Sequence, residues 1–360
     1  MHLLYKDDWP AAETRLRAYW ANAAVDRAAI GVTAPRAEPL PGPPAPPSPT
    51  DLASRWTDPE YLIGSAEAAF RATHFGGEAV PSLFVNLGPG ILAAYLGSEP
   101  TFDDSTVWFG ELPDFDWGCP PQFDPGNVWW RTTRRITEAC AEALAGKALV
   151  GVTDLGGGSD VLAALRGTQN LLLDLVLNPG PVGEWMDHLA ALWCRLYDEL
   201  HAMTRDPEGG GVMWLALWAP GSMYNVASDF GCMVSPTMFD RFIAPEIETL
   251  CRHLDHSLYH LDGPDATRHL DRLLAIPELG GIQWTPGAGV PQAAEWLPML
   301  RRIQDAGKRL HVHEAFENAE RVLRGLGPEG LFLQTHAPSE AAARELLENA
   351  TAWAAGPRQS

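Results

Sequence analysis

Histidines and carboxylates that follow short apolar runs late in the chain are the residues best suited to chemistry. His260 and Asp262 are two positions apart, so both side chains project from the same face if that run is a strand. His336 follows another apolar run, and His313 and Glu314 follow a third. Imidazole and carboxylate together suit Zn²⁺, or Fe²⁺ and Mn²⁺ in an open site. We therefore predict a metal site in which His260 and Asp262 meet His336 across a shared cavity.

Candidates for proton transfer and substrate binding lie near the same strand ends. Asp154 and Asp229 follow earlier apolar runs and, like His313, could take up or deliver protons. Glu314 or His313 could also complete or orient the metal shell. The aromatic and amide side chains that could line a substrate pocket are Trp218, Tyr224, Tyr259, Gln283 and Trp284. The structural alternative is that single histidines are hydrogen-bonded in the core and that most of the 14 tryptophans pack there.

The elements that would position these residues alternate along the chain. Short apolar, β-branched runs are followed by longer stretches with helical periodicity. The strand candidates are residues 29–33, 83–87, 149–153, 212–218, 257–261, 281–285, 309–313 and 331–335. This alternation predicts parallel strands with right-handed crossovers, closed into an α/β (β/α)₈ TIM barrel, with a doubly wound open sheet as the alternative. In a barrel the carboxyl ends of the strands meet at one mouth, which would bring the candidate residues together.

The remaining segments are predicted to decorate one barrel domain that spans residues 1–360. Residues 1–28 would form an N-terminal helical extension. Residues 35–55 include the run PGPPAPPSP, which can form neither a helix nor a central strand and is expected to be a surface loop. The long loop of residues 108–130 is a candidate lid over the mouth.

Composition limits the classes of partner. The net charge is −20, and so acidic a surface repels nucleic acid and anionic membranes. No apolar run reaches the roughly 18 to 20 residues that span a bilayer, and the first residues lack the features of a signal peptide. The 5 cysteines form no CxxC pair, which argues against a disulfide framework. A cytoplasmic protein that binds a small-molecule substrate is expected.

Three segments resemble the uroporphyrinogen decarboxylase superfamily. Residues 234–246, VSPTMFDRFIAPE, are similar to its SPxxFxxFxxP helix, and residues 259–263, YHLDG, and 162–167, LAALRG, are similar to flanking segments. The resemblance covers the chain from about residue 147 onward. It implies a (β/α)₈ barrel and membership of a group that includes decarboxylases and zinc-dependent methyltransferases that work with corrinoid proteins or thiol acceptors. Cobalamin-independent methionine synthase is a more distant relative.

The chain departs from both branches at the residues that would bind the metal or the substrate. The methyltransferase branch implies a His-x-Cys pair on the fifth strand and a cysteine on the eighth; His260 matches the histidine, whereas Asp262 and His336 replace the cysteines. Nitrogen and oxygen ligands leave zinc a harder Lewis acid, better suited to polarising a carbonyl, carboxylate or water than to activating a thiol. The decarboxylase branch implies an arginine-rich N-terminal segment, and residues 34–38 with the proline run contain no such cluster.

Three functions remain open from the sequence. The first is a zinc-dependent methyltransferase to which a corrinoid protein supplies methyl groups. The second is a decarboxylase or other lyase that acts on a small carboxylated substrate, with or without a metal. The third is a barrel that binds a ligand without chemistry, because a fold does not determine a function.

Overall fold

The protein is a mixed α/β structure, represented here by a computed structural model that describes residues 1–354. Its strands are β1 (Ala29–Pro35), β2 (Thr73–Gly77), β3 (Ser82–Phe84), β4 (Pro100–Phe102), β5 (Val107–Phe109), β6 (Leu149–Gly151), β7 (Gly211–Val212), β8 (Trp218–Ala219), β9 (Met223–Ala227), β10 (His256–Asp262), β11 (Gly281–Thr285), β12 (Arg309–His313) and β13 (Leu331–His336). The later strands follow the predicted apolar runs closely, and β11 and β12 match them residue for residue.

Helices fill most of the intervals between the strands. They are α1 (Trp9–Trp20), α2 (Leu52–Thr57), α3 (Pro59–Ala72), α4 (Leu92–Tyr95), α5 (Val128–Leu144), α6 (Gly158–Arg166), α7 (Thr168–Leu177), α8 (Pro179–Thr204), α9 (Pro236–Met238), α10 (Ala244–His253), α11 (Gly263–Ala266), α12 (Leu270–Leu274), α13 (Leu297–Asp305), α14 (Ala319–Gly325) and α15 (Glu340–Ala354). A π-helical turn at Phe239–Ile243 joins α9 to α10. Within residues 1–354, no helix is both long and apolar enough to cross a membrane.

A large parallel sheet forms the centre of the fold. Its strands lie in the order β2-β1-β13-β12-β11-β10-β9, and every neighbouring pair is parallel except β2 with β1. The α/β prediction is therefore confirmed. The closed barrel is not shown, because within residues 1–354 β3 pairs with β6 in a separate two-stranded parallel sheet and no ladder joins them to β1 or β9.

The two faces of the central sheet have different partners. Register places His260 beside Gln283 and Gln283 beside His311, so these side chains form a row on one face, the inner face. His311 is buried and stacks on the ring of Phe332, with ring centroids 5.2 Å apart, and burial lowers its pKa to about 3. Alternate residues such as Leu261 face the helices and belong to the main apolar core.

The amino-terminal edge of the inner face is closed by the N-terminal segment. Trp9 and Leu16 of α1 share an apolar cluster with Leu258 and Phe332 on the strands. Trp20 of α1 donates a hydrogen bond from its indole Nε1 to the carbonyl of Trp218, at 2.9 Å. The helix predicted within residues 1–28 is thus present and packs across one end of the sheet.

One predicted strand is wrong. Residues 212–218 do not form a single strand; they are divided between β7 and β8, which pair antiparallel across a turn where Ala216 adopts a φ of 51°. The strand that enters the sheet is β9, which was not predicted. A short apolar run cannot by itself distinguish a central strand from a buried loop, and this one fills the apolar cluster beneath the sheet.

The proline run lies outside the helices and strands, as predicted. The predicted loop of residues 35–55 is wrong at its two ends, because Pro35 ends β1 and residues 52–55 lie in α2. The proline run packs along α3: the Arg71 guanidinium donates to the Pro43 carbonyl, and Leu40 N donates to the Arg71 carbonyl at 3.0 Å. The run therefore acts as a stiff surface connection between β1 and α2.

Candidate functional site

A group of metal-ligand side chains converges where β9 and β10 end. Asp229 follows β9, and His260 and Asp262 lie on β10. One ligand atom from each residue lies within 4.8 Å of the other two, and this is the only such group of three within residues 1–354. His260 is half-buried, whereas both carboxylates reach solvent. The arrangement offers one nitrogen and two oxygens to a cation.

Hydrogen bonds hold the His260 ring in one orientation. Its Nδ1 contacts Oε1 of Gln283, and Nε2 of Gln283 donates to Oγ1 of Thr285 at 2.6 Å. An amide oxygen can only accept, so Nδ1 carries the proton and the lone pair lies on Nε2. Trp214 packs edge-on against the imidazole, with ring centroids 5.4 Å apart. A hydrogen-bond acceptor behind the histidine ring is a common feature of metal ligands.

Asp160 fixes the loop that carries Asp229. Its Oδ2 accepts from the backbone N–H of Asp229 at 3.1 Å, and its Oδ1 accepts from that of Phe230 at 2.8 Å. Asp160 lies in the first turn of α6, which begins after two glycines. A Cβ on Gly157 would lie 2.2 Å from the Ala227 carbonyl oxygen, so only glycine allows α6 to approach the end of β9 this closely.

A cavity of about 430 Å³ opens beside the group. Its walls come from the loops after β6 and β9, from α6, and from the hairpin of β4 and β5. The aromatic and ionisable residues that line it are Trp108, Phe109, Asp154, Asp160, Trp214, Tyr224, Asp229, Phe230 and His260. No lysine or arginine is among the lining residues of the described chain. The cavity therefore has an acidic and aromatic wall.

Asp154 lies in the loop that follows β6. Its Oδ1 accepts from the hydroxyl of Tyr224 and from the N–H of Gly156, both at 2.8 Å. The Tyr224 oxygen in turn accepts from the N–H of Leu155 at 2.9 Å. Burial raises the pKa of Asp154, and the negative charge of Asp229 adds to this shift, while the hydrogen bond from Tyr224 opposes it.

Burial, together with the crowding of carboxylates, favours the neutral forms of these groups. Burial raises the pKa of Asp160 to about 7, and repulsion from Asp229 contributes. Loss of hydration also raises the pKa of Asp229, with a further rise from Asp262 and an opposing effect of His260. The repulsion between carboxylates that contributes to these shifts would be relieved by a positive charge placed among them.

A second buried acid supports the site from behind. Glu246 of α10 accepts a hydrogen bond from the N–H of Gly158, and burial raises its pKa to about 8. A Cβ on Gly158 would lie 2.7 Å from Oε1 of Glu246. The residues Gly156, Gly157 and Gly158 thus serve a tight turn and close packing.

The structure brings together five of the predicted site residues. Asp154, Tyr224, Asp229 and His260 line the cavity, and Asp262 joins the metal-ligand group. Gln283, which was predicted to bind substrate, instead lies behind His260 as its hydrogen-bond partner.

The remaining predicted residues lie elsewhere. His336 contacts Oγ1 of Thr33 through Nδ1 at 3.1 Å and is not in the ligand group; Asp229 is there in its place. Glu314 is buried, and its carboxylate accepts from the backbone N–H groups of Ala294 and Ala315. Predicted residues that lie outside the cavity lining, one exposed and three buried in the core, are His313, Trp218, Tyr259 and Trp284.

Two residues of the site, Asp160 and Asn225, were not predicted from the sequence. Asp160 sits in a helix rather than at a strand end, although an acidic residue in the first turn after a glycine-rich loop is a readable signal. Asn225 lies within the unpredicted strand β9, so its position on the inner face could not be inferred.

Comparisons with known proteins do not place the chain. No protein-family model matches it, and no curated protein matches it.

Proposed function

We propose that this protein is a metal-dependent enzyme in which Asp229, His260 and Asp262 hold a divalent ion, with zinc the first candidate. The observation that carries the proposal is the convergence of their ligand atoms within 4.8 Å beside a cavity of about 430 Å³. The proposed reaction is the transfer of a methyl group from a corrinoid protein to a small acceptor substrate that binds in that cavity.

The donor set fits a divalent ion of intermediate hardness. One imidazole and two carboxylates are three protein ligands, which leaves a coordination position for substrate or water. Gln283 orients the imidazole, and Asp160 holds the Asp229 loop. Without thiolate ligands, a bound zinc ion would act as a Lewis acid on a substrate oxygen or nitrogen.

The chain's own residues supply proton handling and exclusion of water. Burial raises the pKa of Asp160 to about 7, so this carboxyl group could accept or donate a proton near neutral pH, and burial also raises the pKa of Asp154. Tyr224 holds Asp154 in place. The rings of Trp214 and Phe230 line the cavity, and an apolar wall keeps water away from a reacting methyl group.

The architecture proposed for this enzyme is the (β/α)₈ barrel. Six parallel strands already lie side by side from β1 to β9, and in chain order β3 and β6 fall between those two edges. Two observations support closure. On one side the Val152 N–H, just after β6, donates to the Val212 carbonyl of β7 at 3.3 Å, and β7 in turn contacts β9. On the other side a Cβ on Gly31 of β1 would lie 3.5 Å from Cα of Ala79, just before β3. Strands β1, β3, β6 and β9 to β13 would make up the eight.

A lyase reaction is the second candidate. It is favoured by the raised pKa values of Asp154 and Asp160, because a neutral carboxylic acid can protonate a carbanion after carbon–carbon cleavage. A carboxylated substrate would have to bind through the metal, since no lysine or arginine lines the described cavity.

The first experiment is metal analysis of protein purified without chelator. We expect about one zinc, manganese or iron ion per chain, lost in His260→Ala and in Asp229→Asn. His336→Ala is the matched control, because this strand-end histidine lies outside the ligand group, and it should retain the metal. Loss of metal in His336→Ala with retention in Asp229→Asn would restore the ligand set predicted from the sequence. A protein that binds none of these ions would refute the proposal.

The reaction itself is tested with the metal-loaded protein. Methylcobalamin as methyl donor, offered with amine, thiol and hydroxyl acceptors, should give methylated product that His260→Ala does not form. Release of carbon dioxide from carboxylic acids would favour the lyase. Saturable binding without turnover of either kind would favour a binding protein.

A further inference from the structure

The cavity wall beyond the three metal-ligand residues consists of hydrogen-bond acceptors and aromatic rings. Asp154 and Asp160 contribute carboxylates, and Trp108, Trp214 and Phe230 contribute rings. Within the described chain, no lysine or arginine reaches this wall. The wall is therefore complementary to a positive charge and not to a negative one.

We propose that the substrate of this cavity carries a protonated amine. This inference rests on the proposed function, because it names the substrate class of the same site. The ammonium group would lie between the carboxylate of Asp154 and the aromatic rings, beside the metal-ligand residues rather than on them.

The charge balance favours a cation even with a metal in place. A divalent ion held by Asp229 and Asp262 neutralises those two carboxylates and leaves Asp154 and Asp160 without a positive partner. Within residues 1–354, neither of these two aspartates forms an ion pair with a lysine or arginine. An anionic ligand would add like charge beside these carboxylates.

A buried amide oxygen and a half-buried carboxylate oxygen point to a ligand that donates hydrogen bonds. Asn225 lines the cavity and is 1% exposed, and its Oδ1 has no partner in the described chain. Its Nδ2 faces Oε1 of Gln283 at 3.5 Å. Both hydrogen bonds that described residues donate to the Asp154 carboxylate end on Oδ1. Its Oδ2 can therefore accept a hydrogen bond from a ligand. A buried acceptor without a donor is unfavourable, and the N–H groups of an ammonium would satisfy it.

The mouth of the cavity supplies the aromatic part of the site. Trp108 of β5 lines the cavity and is 63% exposed, although a large ring is normally buried. Met233, at 47% exposure, lines the same mouth. An indole face binds ammonium groups through cation–π attraction and excludes water from them, which gives the exposed ring a role.

The test uses three probes of the same shape that differ in charge. Benzylamine is protonated at neutral pH, benzyl alcohol is neutral and benzoate is negative. We expect benzylamine to bind most tightly in calorimetric titrations of the full chain, and benzoate to bind least. Equal or tighter binding of benzyl alcohol or benzoate would overturn the proposal.

Variants locate the bound charge. Asp154→Asn should weaken benzylamine binding roughly tenfold and leave benzyl alcohol binding unchanged, because only the charge-assisted contact is lost. Trp108→Leu should also weaken benzylamine selectively; its exposed position keeps this test independent of folding. Asp187→Asn, an exposed site on α8, is the control and should change nothing. Benzylamine affinity unaffected by both site variants would overturn the assignment.

The metal proposal and the amine proposal fail separately. Titrations are repeated with metal-free and metal-loaded protein. Benzylamine binding to a protein that takes up no metal would support the amine site and refute the proposed function. Metal uptake by a protein that binds the three probes equally well would support the metal site and refute the amine site.

Discussion

The two ends of the inner face of the central sheet are built for different tasks. At the amino-terminal end, α1 and the β7–β8 hairpin bury tryptophans and leucines against the strands. At the carboxyl-terminal end, carboxylates, imidazole and amides surround a cavity. A single strand makes the transition: on β10, Leu258 is fully buried, His260 is half-buried and Asp262 is exposed.

In this sheet, the position of a residue along its strand determines whether its side chain packs in the core or lines the site. All three of these residues point to the same face, so the alternation of the strand is unchanged from one end to the other. What differs is the cover: α1 closes one end with apolar side chains, whereas the other end is lined by loops. Stability should therefore depend mainly on the closed end, and binding on the open end.

The largest expected effect is at the closed end. Trp9→Ala removes a fully buried indole that packs edge-on against Trp218, with ring centroids 5.3 Å apart. The free energy of unfolding should fall by about 3–5 kcal/mol, as is typical when a large buried ring is removed. Chemical denaturation measures it. Trp108→Ala at the open end is the control and should change stability by less than about 0.5 kcal/mol. Similar losses in both variants would contradict the division.

A smaller effect on stability is expected from Glu246, which supports the site from behind but is not a metal ligand. Glu246 has a raised pKa of about 8, so the folded state holds a proton that the unfolded state releases near pH 4.5. Stability from this group is present at low pH and is lost as pH rises through about 8. Relative to Glu246→Gln, the wild type should lose roughly 3 kcal/mol between pH 5 and pH 8. Denaturation curves across that range measure the difference, and parallel curves for the two proteins would show that Glu246 is ionised when folded.

The smallest effect is at the open end and concerns binding alone. Gln283→Leu removes the acceptor behind His260 while it keeps a similar side-chain volume. Affinity for zinc should fall about 10- to 100-fold, because the imidazole loses its orientation and its fixed proton. A competitive titration with a metal indicator measures this. Gln169→Leu, at an exposed position on α7, is the control. Unchanged affinity in Gln283→Leu would mean that the His260 ring needs no support to bind.

Much of the fold was accessible from the pattern of residues, and the site was accessible in part. The strands from β10 to β13 agree with prediction because each is a short run of apolar, aromatic or β-branched residues bounded by turn signals. The fourth predicted strand failed because its apolar residues serve the cluster with α1, and an apolar run reports burial but not conformation. His260 and Asp262 were placed together because a spacing of two on a strand is a local property.

The choice of the third partner could not be made in the same way. His336 and Asp229 both follow strands, and residue type favours the histidine as a ligand. In the structure Asp229 joins the group because β9 neighbours β10, whereas β13 lies three strands further along the sheet.

The sequence by itself determined the acidic charge, which depends on composition alone. It also determined the alternation of strands and helices and the His260–Asp262 pair, because both depend on residues close together in the chain. Only the tertiary structure decided that Asp229 completes the group, that Asp160 and Gln283 hold it in place, and that α1 closes the opposite end. Gln283 lies 23 positions from His260, and Asp160 lies 69 positions from Asp229. Such contacts depend on which elements become neighbours, and spacing along the chain carries no information about that.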